Sequence, residues 1–230
     1  MARPKSDIDR RVVTAARARF LHDGVDGASL RSIAQDAGTN VGMIYYYFPS
    51  KDALFLAVVE EGYSRILADI TAAMRAEQPV RERFHAIYRR LAALSELEFD
   101  IVRIVAREAL VSSTRLQQLV ARFGGGHVPV VLAAAQAGVA DGTFDARHPL
   151  PALLAAVVAS AVMPQILHRR LSTEVPALAG LLPPPPAFAD AMFDIMMTGA
   201  TPRTPVTAPP RAAGPAPSRG AASRSRGRGR

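Results

Sequence analysis

The sequence predicts an all-α protein. Apolar residues at Ile8, Val12, Ala16 and Phe20 recur every four positions, which is the spacing of one face of an α-helix. The longer segments that follow are rich in Ala and Leu, and they are separated by Gly and Pro. No stretch alternates apolar and polar residues over the length of a strand. These observations favour helices packed on helices over any fold that contains a sheet.

Composition and turn residues divide the chain into three parts. We expect an N-terminal helical domain at residues 1–53 and a larger helical domain at residues 54–199. Residues 200–230 hold seven arginines and no acid, which leaves 21 basic and 20 acidic residues in the first 199. With almost no large apolar residues, this last part is predicted to be a disordered basic tail. It is either merely solvated or attracted to phosphates.

The N-terminal part is predicted to hold three short helices and the start of a long one. The first begins near Ile8, and glycines end it. Ser and Asn then stand at the N-cap positions of the next helices, where their side chains can accept a hydrogen bond from a backbone amide. The residues predicted to end or cap these helices are Gly24, Gly27, Ser29, Gly38, Asn40, Pro49 and Ser50.

The rest of the chain is predicted to form six helices of ordinary length. Gly124–Gly126 and Pro129 should break or kink the fourth of them. The prolines from Pro183 to Pro186 should form a stiff connection before the last. The predicted helices span residues 53–75, 80–97, 101–112, 115–137, 149–171 and 187–199.

The sequence argues against an enzyme. It has no cysteine, and its five histidines lack the spacing of a metal site. It also lacks a GxSxG elbow and a P-loop. We therefore expect no catalytic residue, no metal and no cofactor.

One apolar run, residues 150–167, is long enough to suggest a membrane span. It is rich in Ala and also carries Pro151, Pro164 and Gln165. A buried or subunit-interface helix explains the same run. We therefore expect no membrane partner.

The stretch GTNVGMIYYYFPSK, residues 38–51, is the most informative part of the chain. Two short helices joined by a tight turn at Gly38 have the spacing of a helix-turn-helix motif. On the second helix Ile44 and Phe48 can face inward, so Tyr45 and Tyr46 must face outward. Exposed tyrosines are either ordinary surface residues or donors to phosphate oxygens near a helix N-terminus.

Residues 8–59 resemble the DNA-binding domain of the TetR family of bacterial regulators. The resemblance rests on many residues in register, and it is densest from Gly42 to Leu54. The matching residues are Ala15, Phe20, Gly24, Gly27, Ser29, Leu30, Ile33, Ala34, Ala37, Gly38, Gly42, Ile44, Tyr45, Tyr47, Phe48, Ser50, Lys51 and Leu54.

The resemblance implies a homodimer that lays the helix from Val41 into the major groove of a palindromic DNA operator. It implies phosphate contacts by Tyr45 and Lys51. It also implies phosphate contacts by Ser29 and Thr39. Base contacts are implied for Val41, Met43 and Tyr46. Asn40 and Gly42 lie on the same outward surface.

Val41 and Met43 depart from the basic or hydroxyl residues that many family members carry there. Two apolar side chains cannot donate to guanine, although they can pack on a thymine methyl group. The usual hydrogen-bonded readout of bases is therefore in doubt for this chain.

The resemblance also implies that the second domain binds a ligand and dimerises. The expected dimer contact uses residues 149–171 and 187–198, and the alternative is that both helices belong only to the internal core. A small, largely apolar effector is expected, because apolar side chains would line a cavity between the helices. Six polar residues are candidate ligand contacts: His85, Tyr88, Arg103, His127, Gln165 and His168.

The resulting hypothesis is a cytoplasmic, nucleoid-associated repressor that the effector releases from DNA. Two alternatives stay open. One is a regulator of the same fold that a partner protein controls. The other is a helical ligand-binding module without specific DNA binding.

Overall fold

The computed structural model describes residues 7–200, which form ten helices and no strand. The all-α prediction is thus confirmed over that range. The helices are α1 (Asp7–Gly27), α2 (Leu30–Asp36), α3 (Val41–Tyr47), α4 (Lys51–Arg75), α5 (Val80–Ala92), α6 (Glu96–Val111), α7 (Ser113–Ala140), α8 (Leu150–Glu174), α9 (Pro176–Ala179) and α10 (Pro185–Ala200).

The N-terminal helices enclose a core of their own. The predicted four-residue repeat of α1 is buried there, with Val12, Ala16 and Phe20 at most 1% exposed. Phe20 meets Phe55 of α4 edge to face, with 6.4 Å between the ring centroids. The regular helix of α1 is interrupted at Gly24, whose φ of 76° is a conformation that glycine adopts without strain.

A second core fills the bundle of α5, α7, α8 and α10. Tyr88 and Phe84 of α5 are fully buried in it, together with Phe193 of α10. Phe144, in the loop after α7, meets Phe84 edge to face at 5.1 Å between centroids.

Helix α4 belongs to both cores. Its first turns bury Leu54 and Phe55 among the N-terminal helices, and Ile66 and Met74 further along are buried in the second core. Ile104 of α6 also packs in the N-terminal core. The two halves are therefore joined by apolar packing as well as by the chain. The division at residues 53 and 54 remains a prediction.

One predicted helix is wrong. The segment 80–97 is divided, because α5 ends at Ala92 and α6 begins at Glu96. Ser95 and Glu98 form a reciprocal capping box, in which each side chain accepts a hydrogen bond from the other residue's backbone amide. This box stabilises a new helix start and so outweighs the helical periodicity across the boundary.

Of the break or kink expected in the fourth of these helices, the break is wrong and the kink stays a prediction. Helix α7 continues through Gly124–Gly126 and Pro129 without interruption. Buried residues on both sides, Leu119 and Ala134 among them, hold the helix in place. Tertiary packing therefore outweighs the local preference of these residues.

The polyproline connection is shorter than predicted. Pro185 and Pro186 form the first turn of α10, where a missing amide costs little. The short α9 before it was not predicted.

Helices α7 and α8 are both long and apolar enough to cross a membrane, judged by length and composition. The core helices of soluble proteins pass the same test but are mostly buried, whereas only 17% and 22% of the respective apolar windows are buried here. The absence of a membrane partner remains a prediction. The predicted basic tail, from residue 201 onward, lies outside the described residues.

Candidate DNA-binding surface

Helices α2 and α3 form a helix-turn-helix around Gly38. This glycine has a φ of 62°, in the left-handed region that tight turns require. The Thr39 amide donates to the Ala34 carbonyl at 2.9 Å, and the Gly38 amide donates to the Gln35 carbonyl at 3.1 Å. These bonds close the turn and set the angle between the two helices.

Each helix of the motif starts at its predicted cap. The Ser29 hydroxyl accepts a hydrogen bond from the Ser32 amide, and the Asn40 side chain accepts one from the Met43 amide, each at 3.0 Å. Ser50 caps α4 in the same way. A Cβ atom on Gly42 would lie 3.1 Å from the Asn40 side-chain oxygen. Glycine at this position therefore leaves room for the cap.

Helix α3 presents two tyrosines to solvent. Ile44 is buried at 1% exposure, whereas Tyr45 is 54% exposed and Tyr46 is 56% exposed. Tyr46 also meets Tyr47 edge to face at 5.1 Å between centroids. The three consecutive tyrosines thus divide as predicted, with the first two directed outward.

The apolar residues of the motif are less accessible. Val41 is half-buried and packs against the N-terminal core, and Met43 is also half-buried. Thr39 is half-buried, while Ser29, Asn40 and Gly42 are exposed.

Lys51 has a structural role that its sequence position did not reveal. Its ammonium group donates to the carbonyl oxygens of Asp26 at 3.0 Å and Ala28 at 3.3 Å. It thereby ties the start of α4 to the connection between α1 and α2. An ammonium group has three donors, so one remains for a phosphate oxygen. Lys51 borders an open depression of about 610 Å³ together with Ser29 and Tyr45.

Arg115 anchors this surface to the second domain. Its guanidinium contacts Asp26, and it reaches Asp52 at 3.1 Å and Glu108 at 2.8 Å. Glu108 is 2% exposed and also accepts a hydrogen bond from the Val25 amide at 3.4 Å. The hydrogen bond to Asp26 is the main cause that raises the pKa of Arg115.

Sequence reasoning missed this arginine cluster, defined by Asp26, Asp52, Glu108 and Arg115. The four residues come from four separate segments, and no local pattern connects them.

Four of the six candidate ligand residues, His168 among them, have a hydrogen-bond partner in the protein. His85 lies 2.7 Å from a carboxylate oxygen of Asp190, and the Tyr88 hydroxyl lies 2.6 Å from that of Ser160. His127 lies 2.9 Å from the Phe123 carbonyl oxygen.

Gln165 and His168 each keep a buried side-chain nitrogen without a hydrogen-bond partner among residues 7–200, and Arg103 borders a cleft. Gln165 is 4% exposed, and its amide nitrogen has no hydrogen-bond partner among residues 7–200. His168 is 5% exposed, and its Nε2 lies 2.8 Å from the Pro183 carbonyl oxygen. His168 and Arg103 border one cleft of about 620 Å³, whereas His127 borders another of about 540 Å³. The six residues thus share no single cavity in the described part of the chain.

No group of three or more potential metal ligands occurs within the described range.

Comparisons with known proteins agree with this geometry. Residues 12–58 match the family model of bacterial regulatory proteins of the tetR family. The nucleoid occlusion factor SlmA of Haemophilus influenzae is 30% identical over 117 residues, covering 50% of this chain and 54% of that protein. The regulator UidR of Escherichia coli is 26% identical over 128 residues, covering 55% of this chain and 62% of that one. The chain spans about half the length of the curated relatives it matches.

Solved structures share the fold over most of the chain. FadR of Bacillus subtilis, in complex with stearoyl-CoA, aligns with a TM-score of 0.64 at 13% identity, covering 83% of this chain and 98% of that one. A putative fatty acid metabolism regulator of Clostridium perfringens aligns with a TM-score of 0.63 at 17% identity, covering 84% and 100%. Residues 12–58 thus form a DNA-binding domain of the type found in the tetR family of bacterial regulatory proteins.

Proposed function

We propose that the protein is a homodimeric transcriptional repressor that binds a palindromic operator and is released from it by a small, largely apolar ligand. The observation that carries the proposal is helix α3, which is capped by Asn40 and presents Tyr45 and Tyr46 to solvent. Two exposed aromatic side chains on one short helix offer flat contact area, and their phenolic hydroxyl groups can donate to phosphate oxygens.

On this proposal Tyr45 and Lys51 bind phosphate oxygens beside the open depression, and Ser29 and Thr39 contribute hydroxyl or backbone amide donors. Tyr46 and Met43 lie against base edges. With Val41 packed on the core, base recognition would depend mainly on Tyr46, and apolar contacts favour a thymine methyl group over guanine.

The dimer contact is proposed on α8 and α10, within residues 149–171 and 187–198. Both helices bury one side in the second core, and both leave large apolar residues in solvent on the other. Val158 is 61% exposed and Ile195 is 66% exposed. A second copy of the chain would cover these side chains, so the helices serve the core and the interface together.

Control by a ligand requires that the ligand prefer the conformer that cannot contact both halves of the operator. Control by a partner protein is the second candidate. The observation that favours it is the scattering of the six candidate ligand residues over separate sites. A relative with 30% identity, SlmA, is named a nucleoid occlusion factor rather than a ligand-responsive regulator.

A helical module without specific DNA binding is the third candidate, and the half-buried Val41 and Met43 favour it. Specific binding to DNA from upstream of the protein's own coding region separates this candidate from the first two. Loss of that binding on adding small apolar compounds then separates ligand control from control by a partner. We place the protein in the cytoplasm, associated with the nucleoid.

A further inference from the structure

An apolar groove of about 270 Å³ lies between the DNA-binding domain and the second domain. Helix α1 contributes Phe20 and Leu21, helix α6 contributes the segment around Ala106, and helix α8 contributes Met163 and Ile166. The volume is just below the range of pockets for drug-sized ligands, so the groove suits a small molecule.

Large apolar side chains beside the groove are unusually exposed. Leu110 is 82% exposed and Met163 is 51% exposed, and both line it. Burying such side chains stabilises a complex by roughly 25 cal/mol per Å² of apolar surface. The lining therefore favours a ligand with a hydrocarbon part.

The polar lining of the groove is entirely basic. Arg103 and Arg107 are its charged residues, and no acidic residue lines it. A guanidinium nitrogen of Arg103 lies 3.9 Å from a carboxylate oxygen of Asp100. The guanidinium carbon lies 5.8 Å from the centroid of the Phe99 ring. Arg107 has no ion pair or hydrogen bond to any residue between 7 and 200. An unpaired guanidinium beside an apolar groove is complementary to a carboxylate.

Arg107 also contacts the interruption of α1. A Cβ atom on Gly24 would lie 2.7 Å from a terminal nitrogen of the Arg107 side chain, so this guanidinium covers the glycine. Gly24 comes directly before Val25 and Asp26, which the arginine cluster holds. A ligand that moves Arg107 would therefore act on the connection that positions the helix-turn-helix.

We propose that this groove binds a small amphipathic carboxylic acid, with its hydrocarbon chain against Leu21, Leu110 and Met163 and its carboxylate at Arg107. The binding site stands on the groove alone, whereas its role as the effector site rests on the proposed function. None of the six polar residues predicted from the sequence except Arg103 lines it.

The test is isothermal titration calorimetry of the full chain with sodium octanoate, kept below its micelle concentration. We expect saturable binding at one site per chain. Arg107→Gln should weaken it about tenfold, since a charge-assisted hydrogen bond is removed. Octan-1-ol should bind the wild type more weakly by a similar factor.

Two further variants test the site, one as a control and one in its apolar lining. Arg122→Gln removes a cation of α7 that is 53% exposed, pairs with Glu60 and does not line the groove, so it should leave octanoate binding unchanged. Leu110→Ser removes an exposed apolar side chain without disturbing either core, and it should weaken binding. The proposal is overturned if octanoate gives no saturable heat, or if Arg107→Gln and Arg122→Gln bind it equally.

The same samples separate this inference from the proposed function. If octanoate binds as expected but the chain never binds DNA specifically, the site stands and the proposed function fails. If DNA is bound specifically and octanoate is not bound, the regulator stands and the groove is not its effector site.

Discussion

Tyr45 is exposed beside the depression that Ser29 and Lys51 border. We predict that Tyr45→Phe lowers affinity for every DNA sequence by a similar factor, about fivefold. The reason is that a hydrogen bond to phosphate is worth about 1 kcal/mol and carries no base information. Fluorescence anisotropy with operator and unrelated duplexes measures both affinities. Tyr46→Phe is the matched variant, and there we expect the decrease to depend on sequence. A base-dependent decrease for Tyr45→Phe would contradict its assigned role.

Asn40 holds the first turn of α3 through one hydrogen bond from the Met43 amide. Asn40→Ala should lower the free energy of unfolding by about 1 kcal/mol, the usual cost of removing a helix cap. Asn40→Asp keeps an oxygen acceptor at the cap and should cost much less. Urea denaturation followed by circular dichroism measures both. Equal destabilisation by the two variants would mean that the cap contributes little.

Contacts between residues close in the chain could be predicted from the sequence, whereas contacts between residues far apart in the chain could not. The caps at Ser29, Asn40 and Ser50 depend on residues three positions away, and all three are confirmed. The bonds of Lys51 to Asp26 and Ala28 join residues more than twenty positions apart. Only the folded chain brings them together.

The arginine cluster joins α7 to the end of α1, to the start of α4 and to α6. We predict that Arg115→Met lowers the free energy of unfolding by about 3 kcal/mol, because it leaves the Glu108 carboxylate buried without a charged partner. Denaturation in urea measures this change. Arg122→Met, which breaks the exposed pair with Glu60, should change stability by less than about 1 kcal/mol.

A double variant distinguishes the loss of the charge partner of Glu108 from a simple loss of packing. Adding Glu108→Leu to Arg115→Met removes the unpaired buried charge, so the double variant should recover part of the stability. A double variant less stable than the single one would show that the charge of Glu108 is not the cause.

Helices α5 and α10 are linked by Asp190, which pairs with Arg89 at 2.9 Å and His85 at 2.7 Å. The hydrogen bond from Arg89, followed by that from His85, lowers the pKa of Asp190 from 3.8 to about 2. A carboxyl whose pKa is lower in the folded state stabilises the fold above its unfolded pKa, and this contribution disappears as the pH falls. The stabilisation by Asp190 is therefore lost as the pH falls from about 4 to about 2.

We predict that Asp190→Asn lowers the melting temperature at neutral pH and flattens its decline across that acidic window. Thermal unfolding of both proteins through the window checks this. If the melting temperatures of the two proteins fall in parallel with pH, the assigned link between α5 and α10 is contradicted.

Among the elements, helix existence could be predicted well and helix ends less so. The Ser95–Glu98 capping box was visible in the sequence as a serine followed three residues later by a glutamate, and it could have divided the predicted helix at 80–97. The continuity of α7 through its glycines and Pro129 could not have been predicted, because buried neighbours such as Ala134 decide it.

For the whole molecule, we predict that the seven arginines of residues 200–230 add to the affinity for DNA. We predict that removing the residues after Ala200 leaves operator choice intact and makes affinity less dependent on salt. Each arginine that no longer neutralises a phosphate reduces the slope of log affinity against log salt by about 0.9. Affinity measured over a salt series gives this slope. An unchanged slope would mean that the tail does not bind DNA.

The contacts between the two domains could not be predicted from the sequence. The resemblance identified the helix-turn-helix of α2 and α3, because that motif folds from contiguous segments, whereas the residues that contact DNA stay predictions. The groove between α1, α6 and α8 is assembled from Leu21, Leu110 and Met163, which lie far apart in the chain. Polar candidates chosen one at a time therefore could not identify it.

The most direct measurement is a gel shift of the purified protein on DNA from upstream of its own coding region, with excess non-specific competitor and a salt series. We predict a shift that resists competitor and has the stoichiometry of a dimer on one palindromic site. A shift that disappears with competitor would contradict this prediction, because only the sequence-independent attraction of cations for phosphate would then remain.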